Sequence, residues 1–240
     1  MRQIIYVKYN RTRSEKFQLK TAIVRENGAL SVEKTALTEA GAGHMGSFWE
    51  KYQMIREQNP RIRFLEPEFK DGGKTVCFRY LEGETLADAL ADRIHMGQIP
   101  YEELEQVMAL VFPEDFSVDS GHFSIKEQTD GPFAPSQGFT EVFGPVPEGL
   151  EELGRLTAAP NVDGLFENLM ISDGHVYGID YEWVFDMEIP AKFLHYRNLL
   201  YFYRRCEASV SSAQEELFAH FGIGEEEQGL FASMEEHFQG

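Results

Sequence analysis

Three oxygen-bearing side chains, Asp163, Asn168 and Asp180, lie within Asn161 to Trp183, N-V-D-G-L-F-E-N-L-M-I-S-D-G-H-V-Y-G-I-D-Y-E-W. Asp173-Gly174 sits between the apolar runs Leu169 to Ser172 and His175 to Ile179, and an Asp-Gly pair accepts the positive φ angles of a two-residue hairpin turn. With that turn, Asn168 falls opposite Ile179, so the open end gathers Asn168, Asp180 and, five residues before Asn168, Asp163. Strict alternation places Asn168 and Asp180 on opposite faces, because Asp180 then lies opposite Glu167. Their meeting therefore requires the ladder to fray at both positions. A carboxylate and an amide oxygen suit a hard cation such as Mg²⁺, which takes one or two carboxylates plus phosphate and water. A second carboxylate on the preceding loop, Asp163, could orient a hydroxyl or accept its proton for attack on a metal-held phosphate.

The stretch D-G-L-F-E-N resembles the D-x-x-x-x-N catalytic loop of the protein-kinase-like superfamily. I-D-Y-E-W, twelve residues on, resembles the I-D-F-E metal-binding motif of choline kinases and aminoglycoside phosphotransferases. The similarity extends to kinase-like domains of bacterial cell-surface polysaccharide proteins. It implies an α+β fold of two lobes, a small antiparallel-sheet N-lobe with one helix (residues 1–80) and a larger, mainly helical C-lobe (residues 81–240), in one two-lobed domain. It also implies ATP and Mg²⁺ as cofactors and a hydroxyl of a small molecule or glycan as acceptor. Asp163 becomes the catalytic residue and Asn168 and Asp180 the metal ligands. Lys34, with Lys20 as rival, would hold the nucleotide's phosphates, and Glu50, with Glu39 behind it, would pair with that lysine. Tyr80, Leu81 and Glu82, in R-Y-L-E-G-E-T-L, would meet adenine through their backbone.

Two departures from the family pattern stand out. Asn161 replaces the usual His two residues before the catalytic Asp, and R-T-R-S-E-K replaces the glycine-rich loop between the first two strands. Arg11, Arg13 and Ser14 are the groups there that could contact phosphates instead. The missing loop also admits an alternative, a catalytically inactive pseudokinase acting as a binding or scaffold module of a polysaccharide-assembly protein.

The elements that must position these residues follow from pattern. Gln3 to Asn10, Phe17 to Arg25 and Leu30 to Leu37 read as strands, with a turn at Glu26-Asn27-Gly28. Arg61 to Phe69 and Lys74 to Tyr80 flank Asp71-Gly72-Gly73 as a further hairpin, completing five strands. Gly41 to Gly46 matches G-x-G-x-x-G through Gly41, Gly43 and Gly46. With no βαβ pattern around it, it reads as a flexible loop and not a dinucleotide site. Ser47-Phe48-Trp49-Glu50 reads as a capping box opening a helix through about Gln58. Helices are expected from Thr85 to about Gly97, Tyr101 to Phe112, Ala191 to Glu207, Glu215 to Phe221 and Gly229 to Phe238. Pro113 to Pro147 has little periodicity and reads as an insertion that could carry acceptor specificity.

Composition narrows the functions. The 240 residues, 42% hydrophobic, can build a proper core, and a net charge of −18 argues against nucleic acid as partner. Residues 1–80 hold 15 Lys+Arg against 9 Asp+Glu, whereas the remainder holds 7 against 31. A basic first part and an acidic second part suit a polyphosphate-gripping wall and a metal-binding one. No apolar run reaches membrane-span length and the N-terminus carries no signal-peptide pattern, so a cytoplasmic protein is expected. Two cysteines and scattered histidines give no zinc spacing. The ending F-Q-G reads as a domain cut from a longer polypeptide, with further domains possible.

Overall fold

The computed structural model describes residues 1–126, 133–147 and 153–240, and the chain divides into two compact units. The first comprises Met1–Gly83 and Ser172–Glu182; the second comprises Glu84–Ile171 and Trp183–Gly240.

In the first unit, β1 (Arg2–Asn10), β2 (Leu19–Glu26) and β3 (Ala29–Ala36) form an antiparallel meander. Asn27 and Gly28 take positive φ (51° and 87°), as a tight two-residue connection requires. α1 (Ala42–Gly46) and α2 (Phe48–Ile55) follow, then β4 (Ile62–Phe64), β5 (Glu68–Lys70) and β6 (Thr75–Arg79). The sheet has five strands in the order β1-β2-β3-β6-β5. The expected single strand over Arg61 to Phe69 is broken at Leu65-Glu66-Pro67: its second piece joins the sheet and its first does not, since Pro67 cannot donate to a ladder. The loop expected at Gly41 to Gly46 is instead the short helix α1. Ser47 does not cap α2 either; it is helical (φ −74°, ψ −8°), and its hydroxyl donates to His44 O at 2.8 Å.

In the second unit, β7 (Glu84–Thr85) leads into α3 (Leu86–Ala91), capped by Thr85 Oγ1, which accepts from the Asp88 N–H. α4 (Tyr101–Val111) buries Leu104, Met108 and Ala109. The described part of the expected insertion holds a hairpin, β8 (Phe116–Asp119) with β9 (His122–Ile125), and a helix, α5 (Gln137–Phe143). Residues 127–132 of that insertion lie outside the described residues.

Next come β10 (Leu156–Ala158) and β11 (Leu169–Ser172), the latter pairing with β7. Asp173 and Gly174 take the positive φ expected of the turn, 49° and 72°. β12 (His175–Gly178) belongs to the first unit, running parallel to β4 with Gly178 beside Phe64. A Cβ at Gly178 would stand 2.3 Å from Phe64 Cε1, so glycine is what lets that ring reach Tyr181, 6.0 Å away between centroids. β13 (Glu188–Pro190) pairs with β10, and α6 (Ala191–Cys206), α7 (Gln214–His220) and α8 (Glu225–Gln239) close the chain. α6 is buried on most of its surface, carrying Phe193, Tyr196, Leu199, Leu200 and Phe202 into the core. The acidic run Glu225 to Glu227 is the first turn of α8, where carboxylates complement the helix dipole. No helix among the described residues is long and apolar enough to cross a membrane.

Candidate functional site

In the first unit, Lys34 projects from β3 with only 6% of its side chain exposed, and its Nζ donates to both carboxylate oxygens of Asp180, at 2.7 and 2.6 Å. A second carboxylate, Glu182, lies 3.4 Å from the same nitrogen. Glu182 is itself buried and accepts from Arg13 Nη1 at 2.5 Å, with His44 Nε2 at 3.3 Å. Its backbone carbonyl takes the Lys51 ammonium at 2.6 Å. Between these two acids, Tyr181 is the wedge that fixes the segment. Its ring packs against Phe48 and Phe78 (centroids 5.6 and 5.7 Å), and its hydroxyl donates to Leu65 O at 2.7 Å.

Burial alone would raise the Glu182 carboxyl, but the hydrogen bond with His44 and the charges of Lys34 and Arg13 hold it at about 2. Burial depresses His44, and its hydrogen bond to Glu182 offsets only part of that. The unfolded chain thus takes up a proton at His44 that the folded chain refuses, so the contribution of His44 falls as pH drops through about 6.5. That of Glu182 is present above about 4.5 and is lost as pH falls towards 2. Thermal midpoints should therefore drop between pH 7.5 and 5.5, and by less in His44→Asn. An unchanged slope in the variant would contradict the assignment.

The second unit carries the loop before β11. Asn161 Oδ1 accepts the Asp163 N–H at 3.2 Å, an Asx turn, and Asn161 O accepts the Gly164 N–H at 3.0 Å. A Cβ on Gly164 would sit 3.0 Å from that carbonyl, so the turn is built around glycine. Asp163 Oδ2 accepts the Trp183 N–H at 2.9 Å, which fixes the carboxylate plane. Asn168 Nδ2 donates to Asp163 O at 3.0 Å, turning its Oδ1 away from that carbonyl. Asn198, buried on α6, clamps the loop: its Oδ1 accepts the Phe166 N–H at 2.9 Å and its Nδ2 donates to Gly164 O at 3.2 Å. Asn168 ends a short 3₁₀ turn (Phe166–Asn168) and Asp180 lies two residues past β12, so both stand outside regular strand, as the fraying argument required.

No protein-family model matches the sequence, and no curated protein matches it. Solved structures do. The choline kinase LicA from Streptococcus pneumoniae matches with a TM-score of 0.51 at 12% identity, over 99% of this chain and 83% of that one. The fold is protein-kinase-like. A macrolide 2'-phosphotransferase from Brachybacterium faecium (TM-score 0.41, 13% identity, 97% and 82% covered) and an aminoglycoside phosphotransferase (0.41, 12%, 99% and 94%) also match.

Within this kinase-like fold the sequence-derived residues separate into those the structure gathers and those it does not. Lys34, not its rival Lys20, meets Asp180, 146 positions away. Asp163 and Asn168 share one hydrogen-bonded loop. Glu50 is a correction: α2 turns Phe48, Lys51 and Ile55 inward, so Glu50 faces solvent. The carboxylates seen at Lys34 come from the I-D-Y-E-W stretch instead. Glu39 is also exposed and pairs with Lys74 at 2.5 Å.

At the expected hinge, the Tyr80 N–H donates to Leu30 O at 3.3 Å, and Glu82 O accepts from Ser172 Oγ at 2.7 Å. A cleft of about 350 Å³ opens here, lined by Tyr80, Leu81 and Glu82 together with Gly28, Leu30 and Arg79. Glu182, His44 and Asn198 were not singled out by sequence reasoning. The available signals were the second acid of I-D-Y-E-W and the polar trio His195, Arg197 and Asn198 between the apolar and aromatic residues Phe193-Leu194 and Leu199-Leu200.

Proposed function

We propose that this chain is an ATP- and Mg²⁺-dependent phosphotransferase acting on a hydroxyl of a small molecule or a cell-surface glycan. The observation that carries this reading is the Lys34–Asp180 pair. The strand lysine and the motif aspartate that the family resemblance assigns to phosphate and metal stand 2.6 Å apart. In the proposed roles, Lys34 neutralises phosphate charge and Asp163 orients the acceptor hydroxyl and takes its proton. The Leu81 peptide is the hinge group we assign to the base, since the Tyr80 N–H and Glu82 O already have partners. We assign Mg²⁺ to Asp180 and Asn168 by their chemistry as hard oxygen ligands, and Asp180 already holds a cation, the Lys34 ammonium, with both oxygens. When bound there, Mg²⁺ would neutralise the developing phosphoryl charge.

The test is thermal unfolding of the wild type and Asp180→Ala with ATP, GTP and NAD, each with and without Mg²⁺. ATP at a hundred times its dissociation constant should add about 2.7 kcal/mol, dependent on the metal. Asp180→Ala should abolish that gain while Lys34 keeps Glu182 as partner. No response to any nucleotide would favour the scaffold reading, for which the absent glycine-rich loop speaks. A response to NAD alone would overturn the functional assignment.

A further inference from the structure

The loop between β1 and β2, R-T-R-S-E-K, has no glycine with which to bring its backbone close to a phosphate. It is nevertheless held in place. Gln18 Nε2 donates to Arg13 O at 3.1 Å and to Arg11 O at 3.3 Å, and the Phe17 N–H donates to Ser14 O at 2.8 Å. A long-range tie joins Arg13 to Glu182 Oε1 at 2.5 Å, across 169 positions of sequence. The other oxygen of the same carboxylate, Oε2, lies 3.4 Å from Lys34 Nζ. One buried acid therefore carries a guanidinium on one oxygen and the strand ammonium on the other.

The two cations differ in what surrounds them. Lys34 is 6% exposed at its side chain and also holds Asp180, whereas Arg13 is 35% exposed. His44 and Lys51 also reach Glu182, the first at Oε1 and the second at the backbone carbonyl. An arginine fork presents several N–H donors in one plane and suits phosphate oxygens, which a lysine meets only as a point charge.

Resting on the phosphotransferase reading, we propose that Arg13 and Lys34 form a two-cation clamp for the polyphosphate of the nucleotide, with Glu182 as the positioning residue that sets both. Arg13 supplies by side chain what a glycine-rich loop supplies by backbone. On loading, Lys34 exchanges Asp180 for phosphate while remaining tethered to Glu182. The ligand class is a nucleoside di- or triphosphate, and the recognition scales with the number of phosphates.

The experiment is calorimetric titration of the folded protein with adenosine, ADP and ATP in Mg²⁺, comparing the wild type with Arg13→Ala, Arg13→Lys and Glu182→Gln. Arg13→Ala removes a part-exposed side chain and should fold. Its ATP affinity should fall about tenfold to a hundredfold, the range for a charge-assisted hydrogen bond, with adenosine unchanged and Arg13→Lys in between. Glu182→Gln, if folded, should weaken ATP at least as much, because it releases both cations. Unchanged ATP binding in Arg13→Ala overturns the clamp and leaves the phosphotransferase reading standing. Equal losses for adenosine and ATP overturn it too, marking Arg13 as merely structural. A wild type that binds none of the three overturns both.

Discussion

Asp163→Asn should leave nucleotide binding intact and lower turnover by about a hundredfold or more, the usual size of lost acid–base help. The substitution is nearly isosteric, and it keeps an oxygen able to accept the Trp183 N–H now held at 2.9 Å. The Asx turn from Asn161 and the Asn168 bond to Asp163 O engage only the backbone of residue 163, so the loop should keep its shape. What is lost is the negative charge and the basic oxygen that would take a hydroxyl proton. Steady-state rates with a found acceptor, alongside ATP titration, separate the two quantities. Full turnover in Asp163→Asn would remove the role assigned to it. Weakened ATP binding with unchanged turnover at saturation would move the residue from chemistry to nucleotide binding.

Asp115→Ala should cost about 3–5 kcal/mol of stability, the usual penalty for breaking a buried ion pair by removing one partner. Asp115 is fully buried, and its carboxylate takes Arg155 Nε and Nη2 at 2.7 Å each, with His195 Nε2 at 3.0 Å. Burial pushes this carboxyl up, but Arg155 and His195 outweigh it and hold it at about 2. Its contribution is therefore complete above about pH 4 and disappears as pH falls towards 2. His195, wholly buried and pushed down by that burial, loses its contribution as pH falls through about 6.5. His195 sits one turn before Asn198 on α6, so the network braces the helix that clamps the Asp163 loop. Urea denaturation at pH 7 measures the loss, and a penalty under 1 kcal/mol would show that Arg155 and His195 find other partners.

Legibility in the sequence followed the range of the interactions. The meander, the Asp173-Gly174 turn and α6 were readable because strand alternation, turn chemistry and helical spacing are local. Asp163, Asn168 and Asp180 stand out as candidates because they share one short stretch of chain. Glu182 sat in the same stretch and was passed over, because its partners Arg13, Lys34 and His44 are 138 to 169 residues away and nothing local announces them. Ser47 misled for the opposite reason. Its capping pattern is real as a local signal, but α1 runs straight into α2 and leaves no free helix start to cap. The β8–β9 hairpin was legible and missed: Ser120-Gly121, both at positive φ, separates Phe116 to Asp119 from His122 to Ile125.

The first unit is assembled from two stretches separated by 88 residues, and its parallel partner for β4 arrives only with β12. During synthesis, Phe48, Phe78 and Leu65 emerge long before Tyr181 can cover them. At about 5–20 residues per second the wait is on the order of 5–20 s. The amino-terminal sheet is thus made early and finished late, and a nascent chain paused before residue 182 would show an incomplete apolar seat to whatever chaperone attends the ribosome. For the same reason residues 1–83 expressed alone lack a strand and a wedge, and the place to split this protein into fragments is not the boundary that its opening sheet suggests.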